Sequence, residues 1–318
     1  MQHPLLHARA ALVVAHPSHE LLVHGWLQSS RPRVFVLTDG SGRSGFSRLT
    51  QTTSLLDQAG AEPGSIYGRL TDLEAYAAIL NHDVSFFALL VEELSEVFVS
   101  ERIDYVVGDA AEGYNTVHDI TRIIIGAAVE LAARRHCRRI ENFDFAVVGP
   151  PATCPVELHE KAIWLHLDEK TFAAKVAAAR AYSPKLNDDI EAALGGAPFN
   201  GVKRFSRPQM SGDVDDELSV VTDEILRAPA LEESLQGVTR GFTLNDFHVE
   251  CLRPVNNRDG VVRQSDEPPF YELYGAKLVA AGRYAQAIRY REHMLPLAEA
   301  IWKGVTTNGN GRVTHPYH

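Results

Sequence analysis

The chain has 318 residues, 45% of them hydrophobic and 23% charged, which describes a globular protein with room for one large core or two modest ones and excludes a disordered or fibrous chain. Thirty-one basic residues against 41 acidic ones give a formal charge of −10, which repels polyanions and argues against nucleic acid as a partner. No stretch approaches the ~20 apolar residues of a membrane span, and Met1-Gln2-His3-Pro4 lacks the layout of a secretory signal, so a cytoplasmic location without membrane contact is expected.

Residues 11–150 alternate between the two periods of an α/β fold. "ALVVAH" reads as a buried strand that breaks at His16-Pro17, and His19 to Gln28 as helical. "RVFVLTDG" is a second strand ended by Asp39-Gly40, followed by "GSGRSG", whose spacing is wrong for a phosphate-binding loop. Ser47 to Ala59 reads as a helix, "SIYG" as a weak strand, and 72–102 as a helix pair broken near Asn81-His82-Asp83. "DYVVGDA" is a strand, the loop "AEGYNTVHD" leads into the helix "ITRIIIGAAVELAARR", and "FDFAVVG" is another strand. The basic run Arg134-Arg135-His136-Cys137-Arg138-Arg139 sits where a helix C-terminus favours cations. Cys137, Cys154 and Cys251 lie far apart without paired spacing, so neither a disulfide scaffold nor a thiolate zinc site is expected.

Farther on, "AIWLHLD" looks like a strand and "EKTFAAKVAAARAY" like a helix. Residues 183–236 are polar and read as an insertion or a mobile lid bordering the site. "DFHVECLRPV" alternates as a strand, and "YGAKLVAAGRYAQAIRYREHMLPLAEAIW" has the spacing of one or two amphipathic helices covering the core. The expected architecture is a doubly wound, mostly parallel Rossmann-like sheet of five or more strands with a C-terminal helical and β extension. It divides into a core at 1–182, the polar segment at 183–236, and a C-terminal part at 237–318 that completes the same domain.

In such a sheet ligands sit at the carboxyl ends of the strands, where strand order reverses. The first strand ends at His16, and the strand "DYVVGDA" should lie beside it, so that its loop faces the His16 loop. His16, His19 and His118 can therefore converge, and three histidines with an open fourth position are the ligand number of a catalytic zinc. His24 reads as a packing or solvent-facing residue, and His315 and His318 as part of a tail.

These residues carry a resemblance. "VVAHPSHELLVHG" resembles the Ala-His-Pro-Asp-Asp-Glu signature of the PIG-L/LmbE family of metal-dependent N-deacetylases, and "VFVLTDGSG", "GYNTVHD", "DEKTFAAKVAAARAYSP" and "GFTLNDFHVECLRP" follow in the family's order. The resemblance covers about residues 10–182 and 240–254, and its first motif is the specific one. It implies an LmbE-like fold, zinc or another divalent transition metal on His16, His19 and His118, and an N-acylated sugar or sugar-bearing small molecule as substrate.

The sequence also departs from the family. A ligand aspartate is replaced by His19, and the general base by Ser18, whose hydroxyl cannot take a proton from water near neutral pH. The family histidine that assists the oxyanion falls at Asn115, which can donate a hydrogen bond but cannot deliver a proton. Substitute bases among Glu20, Asp39, Asp109, Glu112 and Asp119 come down to Asp109, which ends its strand at the crevice, while Glu20 is expected to orient a ligand histidine. The leading expectation is a zinc-dependent amide hydrolase with Asp109, Asn115 and Glu20 as its working side chains; a homo-oligomer is compatible with it. Two alternatives stand beside it: a metal enzyme of different chemistry on the same scaffold, and a non-catalytic protein binding a sugar or nucleotide-like ligand.

Overall fold

The computed structural model describes residues 5, 8–42, 45–183, 244–258, 261 and 267–308. Apolar runs form five parallel strands, β1 (Ala10–Val14), β2 (Arg33–Thr38), β3 (Glu62–Leu70), β4 (Tyr105–Asp109) and β5 (Glu141–Phe145). With β6 (Ile163–His166) and β7 (Val249–Pro254) they make a seven-stranded sheet in the order β3-β2-β1-β4-β5-β7-β6. β7 runs antiparallel to both β5 and β6. The order reverses at β1, which pairs with β2 on one side and β4 on the other, with Val13 opposite Gly108. The crevice expected from the alternation of elements therefore exists between the carboxyl ends of β1 and β4.

The two-residue period of a strand sends alternate side chains to opposite faces, and both faces of β1 are buried. Leu12 and Val14 join a core with Trp26 and Leu27 of α1 (His24–Ser30), Leu55 and Leu56 of α2 (Leu49–Ala59) and Tyr182 of α6 (Glu169–Tyr182). Ala11 and Val13 join the other core, built from Ile79 of α3 (Asp72–Leu80), Phe87 and Phe98 of α4 (Val84–Ser100), Ile120 and Ile124 of α5 (Thr116–His136), Tyr271 of α7 (Phe270–Ala280) and Leu297 and Ile301 of α8 (Leu295–Asn308). Among the described residues no helix is long and apolar enough to cross a membrane.

Several local expectations change. The stretch after His16 is a 3-10 turn at His19–Leu21, with α1 beginning only at His24, because the backbone leaves helical geometry at Val23 (φ −115°, ψ 33°). The weak strand "SIYG" is the middle of the nine-residue β3, whose register with β2 shifts twice. The C-terminal helical stretch is two helices, α7 ending before Gly282 (φ 68°) and α8 preceded by a π-turn at Tyr290–Met294. Arg134, Arg135 and Arg138, from the basic run at the end of α5, pair with Glu130, Glu92 and Asp104. Beyond Ser183, the polar segment 183–236 lies outside the described residues, as do His315 and His318.

Candidate metal and catalytic site

The chain leaves β1 held from both sides. The Ala15 N–H donates to Asp109 Oδ2 at 2.7 Å, and the Ala15 carbonyl accepts from Thr38 N at 2.9 Å. The next residue, His16, thus emerges between the ends of β2 and β4. Its Nδ1 lies 2.9 Å from Asp72 Oδ1 and 2.8 Å from Thr38 Oγ1, while Thr38 Oγ1 donates to the same Asp72 oxygen at 2.6 Å. Burial pushes the Asp72 carboxyl up, but the His16 ring and the hydrogen bonds from His16, Thr38 and Gly42 prevail and hold it well below the usual carboxylate range. Asp72 is therefore an ionised acceptor, which puts a proton on His16 Nδ1, while Nε2 faces Asn115 Nδ2 at 3.5 Å.

His19 is arranged the same way from the opposite wall. Its Nδ1 pairs at 2.9 Å with Asp109 Oδ2, the oxygen that also receives the Ala15 N–H, and its buried Nε2 has no hydrogen-bond partner. His118, in the first turn of α5, is buried with neither ring nitrogen partnered. Burial, followed by the neighbouring His19 and His16, drives its pKa well below the ordinary imidazole value, so it stays neutral as a ligand must. The three ring centroids lie 5.4 Å (His16–His19), 5.2 Å (His16–His118) and 4.6 Å (His19–His118) apart. Imidazoles sharing one tetrahedral ion through nitrogens at about 2.0–2.1 Å have centroids roughly 5 Å apart.

As they stand, no three His, Cys, Asp or Glu side chains among the described residues close into a metal cage, so the rings would have to reorient to bind one. In donor type, ring spacing, carboxylate-held Nδ1 atoms and orphaned nitrogens the set fits a divalent transition metal.

Asn115 caps α5, its Oδ1 accepting from Val117 N at 2.8 Å while its Nδ2 points to His16 Nε2 at 3.5 Å. The amide N–H₂ thus faces the histidines and is free of the capping bond. Two other side chains expected to work in the site have partners of their own. Asp109 is fully buried behind His19, with Oδ2 taken by two donors so that it orients the ring, while its buried Oδ1 has no hydrogen-bond partner. Glu20 accepts from Ser18 N at 2.9 Å and from Thr52 Oγ1 at 2.7 Å, and these bonds orient no ligand histidine. Burial, opposed by those hydrogen bonds and by Arg48, pushes its carboxyl up to about 7. Its place is to hold the left-handed Ser18 that turns His19 back toward His16.

Of the remaining carboxylates considered from sequence, Asp39 accepts from Ser41 N in its glycine turn and Asp119 accepts from Gly113 N. Glu112, on the loop that carries Asn115, accepts from Val148 N at 2.9 Å. Burial, partly offset by Arg253, pushes its carboxyl up to about 8.

Sequence reasoning missed Asp72, Thr38, Arg48 and a buried ion pair. Asp72 lies within a capping box, Thr71 with Glu74, and that helix start at the end of β3 was a signal available in sequence. Arg48 spans Gly40 O (2.7 Å) and Ser18 Oγ (3.5 Å), tying the β2 loop to the histidine loop. Behind this loop, Lys175 Nζ donates to Leu22 O and to Glu250 Oε1, both at 2.8 Å, while Glu250 accepts the N–H groups of Gly25 and Trp26. The segment between the His19 turn and α1 is thereby pinned at both ends.

No family model matches this chain, and no curated protein matches it. Two solved structures do: a deacetylase triple mutant (Orf2*T) involved in the teicoplanin biosynthetic pathway, with 15% identity over 81% of this chain and 100% of that one, and the deacetylase Dbv21 of the A40926 pseudoaglycone, with 19% identity over 82% and 99%. Both superpose with a TM-score of 0.42, and likeness at that level assigns neither a family nor a substrate.

Proposed function

We propose that the protein is a metal-dependent amide hydrolase that deacylates an N-acylated sugar or sugar-bearing small molecule, with zinc the favoured ion. The observation that carries this reading is the convergence of His16, His19 and His118 at the switch point, two of them backed by carboxylates on Nδ1, with His19 Nε2 and both His118 nitrogens buried and unpartnered. His16, His19 and His118 would hold the ion, which when bound polarises an amide carbonyl and lowers the pKa of water. Asn115 Nδ2 is placed to donate to the oxygen that gains charge as the amide is attacked. Asp72 and Asp109 keep two rings in one tautomer. The sugar-bearing substrate rests on the resemblance of the histidine motif and its companions in order.

The reading is tested by loading metal-free protein with zinc and assaying acetate release from a panel of N-acetyl amino sugars. One equivalent bound, lost in His118→Ala, together with acetate release that is lost in the same variant, is the expected result. Failure of the wild type to take up metal would remove the metal site. Full metal occupancy without acetate from any substrate would leave a metal enzyme of other chemistry, a reading favoured by the loss of a base at Ser18 and the burial of Asp109.

A further inference from the structure

A stack of aromatic rings adjoins the histidine site. Asn115, whose Nδ2 faces His16, is preceded by Tyr114, and the Tyr114 ring stacks on Phe270 with centroids 4.7 Å apart and planes within 4°. Phe270 in turn stacks on Tyr274 at 5.7 Å and 9°. Phe270 and Tyr274 are one helical turn apart and so share a side of α7. The three rings form a parallel row that begins next to the residue facing the histidines. All three are half-buried, and Leu273, between two of them in sequence, is 37% exposed. The docking of α7 has other means: Tyr271, at the second helical position, gives its otherwise orphaned N–H to Gly113 O at 3.3 Å and places its ring in the core. Three large rings kept partly in water beside the crevice, on a helix already fastened, make an apolar surface that serves what enters the crevice.

We propose that the Tyr114–Phe270–Tyr274 stack determines substrate specificity by receiving a planar aromatic group attached to the sugar, a proposal that rests on the deacylase reading above. Parallel rings at these spacings have the offset-stacked arrangement that aromatic quadrupoles favour, and Tyr114 is the member joined to Asn115, so an incoming flat ring extends the row beside the site. With the amide at the histidines, the rest of the sugar reaches past Asn115 and a group attached to it meets Tyr114 next. An alkyl group of similar bulk would bury apolar area but gain nothing from the parallel planes, whereas a flat ring gains both; ring shape is the recognised feature. The stack makes and breaks no bond. It adds binding shared by ground state and transition state, so it acts on KM and leaves kcat alone.

The test compares phenyl, cyclohexyl and methyl N-acetyl-β-glucosaminides by isothermal titration calorimetry on the full-length protein, with and without zinc. The phenyl glycoside should bind roughly 3–10-fold tighter than the methyl one, the scale of one aromatic pair, and tighter than the cyclohexyl one. Tyr114→Leu and Phe270→Leu, which keep apolar bulk, should each pull the phenyl-to-methyl ratio toward one while affinity for the methyl glycoside holds. Phenyl and methyl bound alike, phenyl and cyclohexyl bound alike, a phenyl preference that survives both variants, equal weakening of all three ligands by the variants, or no binding by any ligand would each overturn the proposal. If a leucine variant does not fold, the wild-type series decides alone. Acetate release separates this proposal from the deacylase reading: a phenyl preference without acetate keeps the stack and removes the hydrolase, and acetate released with equal kcat/KM from the phenyl and methyl glycosides keeps the hydrolase and removes the stack.

Discussion

Replacing Asp109 with asparagine separates two roles that the carboxylate could have. Its Oδ2 receives two N–H groups, from Ala15 at 2.7 Å and His19 Nδ1 at 2.9 Å, within a fully buried pocket. Asparagine has nearly the same shape and removes the charge that fixes the His19 tautomer and makes the ring a better donor. Loss of such an outer partner costs about 10–100-fold in metal affinity, which corresponds to about 1.4–2.8 kcal/mol. Zinc affinity measured by competition with a chromophoric chelator should fall by that factor, with circular dichroism unchanged. At saturating zinc, turnover should then recover to well above the ~10²-fold loss expected for a missing general base. Unchanged affinity together with a ~10²-fold loss in turnover at full occupancy would refute the orienting role and make Asp109 the base after all.

His24 is buried with its Nδ1 unpartnered, and burial, followed by Lys175, lowers its pKa from 6.5 to about 4. The unfolded chain therefore binds a proton that the folded one refuses between those values, so stability is full above pH 6.5 and is lost as pH falls toward 4, by about 3 kcal/mol; urea titrations of His24→Leu should show a correspondingly flatter slope in that window. Lys175→Met strands the Glu250 carboxylate in the core and should cost about 3–5 kcal/mol by chemical denaturation, and a cost below about 1 kcal/mol would contradict the buried-pair reading. A Cβ at Gly126 would lie 2.0 Å from the backbone oxygen of Asn257, so Gly126→Ala should lower stability by about 1–3 kcal/mol, seen as a drop in Tm.

The fold class was legible because its signals are local. Apolar runs such as "ALVVAH", alternating with helical spacing such as that of α5, report burial within a few residues of themselves, and the order of elements then favours a parallel sheet with its crevice beyond β1 and β4. The three histidines could be brought together on the same grounds, since each lies at the end of an element whose place follows from that order. The carboxylates behind them could not. Asp72 reaches His16 across 56 positions and Asp109 reaches His19 across 90, and which acidic residue stands behind which ring depends on side-chain directions that no periodicity encodes. Glu20 looked like an orienting group because it neighbours His19 in sequence, yet the left-handed turn at Ser18 carries it toward Thr52 instead. The antiparallel insertion of β7 between β5 and β6, and with it the anchoring of Glu250 on α1, likewise follow from pairing between distant segments. Sequence by itself determined the elements and the ligand-type residues at their ends; tertiary structure decided the partners of those residues, because hydrogen bonds and charge pairs select by position in space and leave no regular trace along the chain.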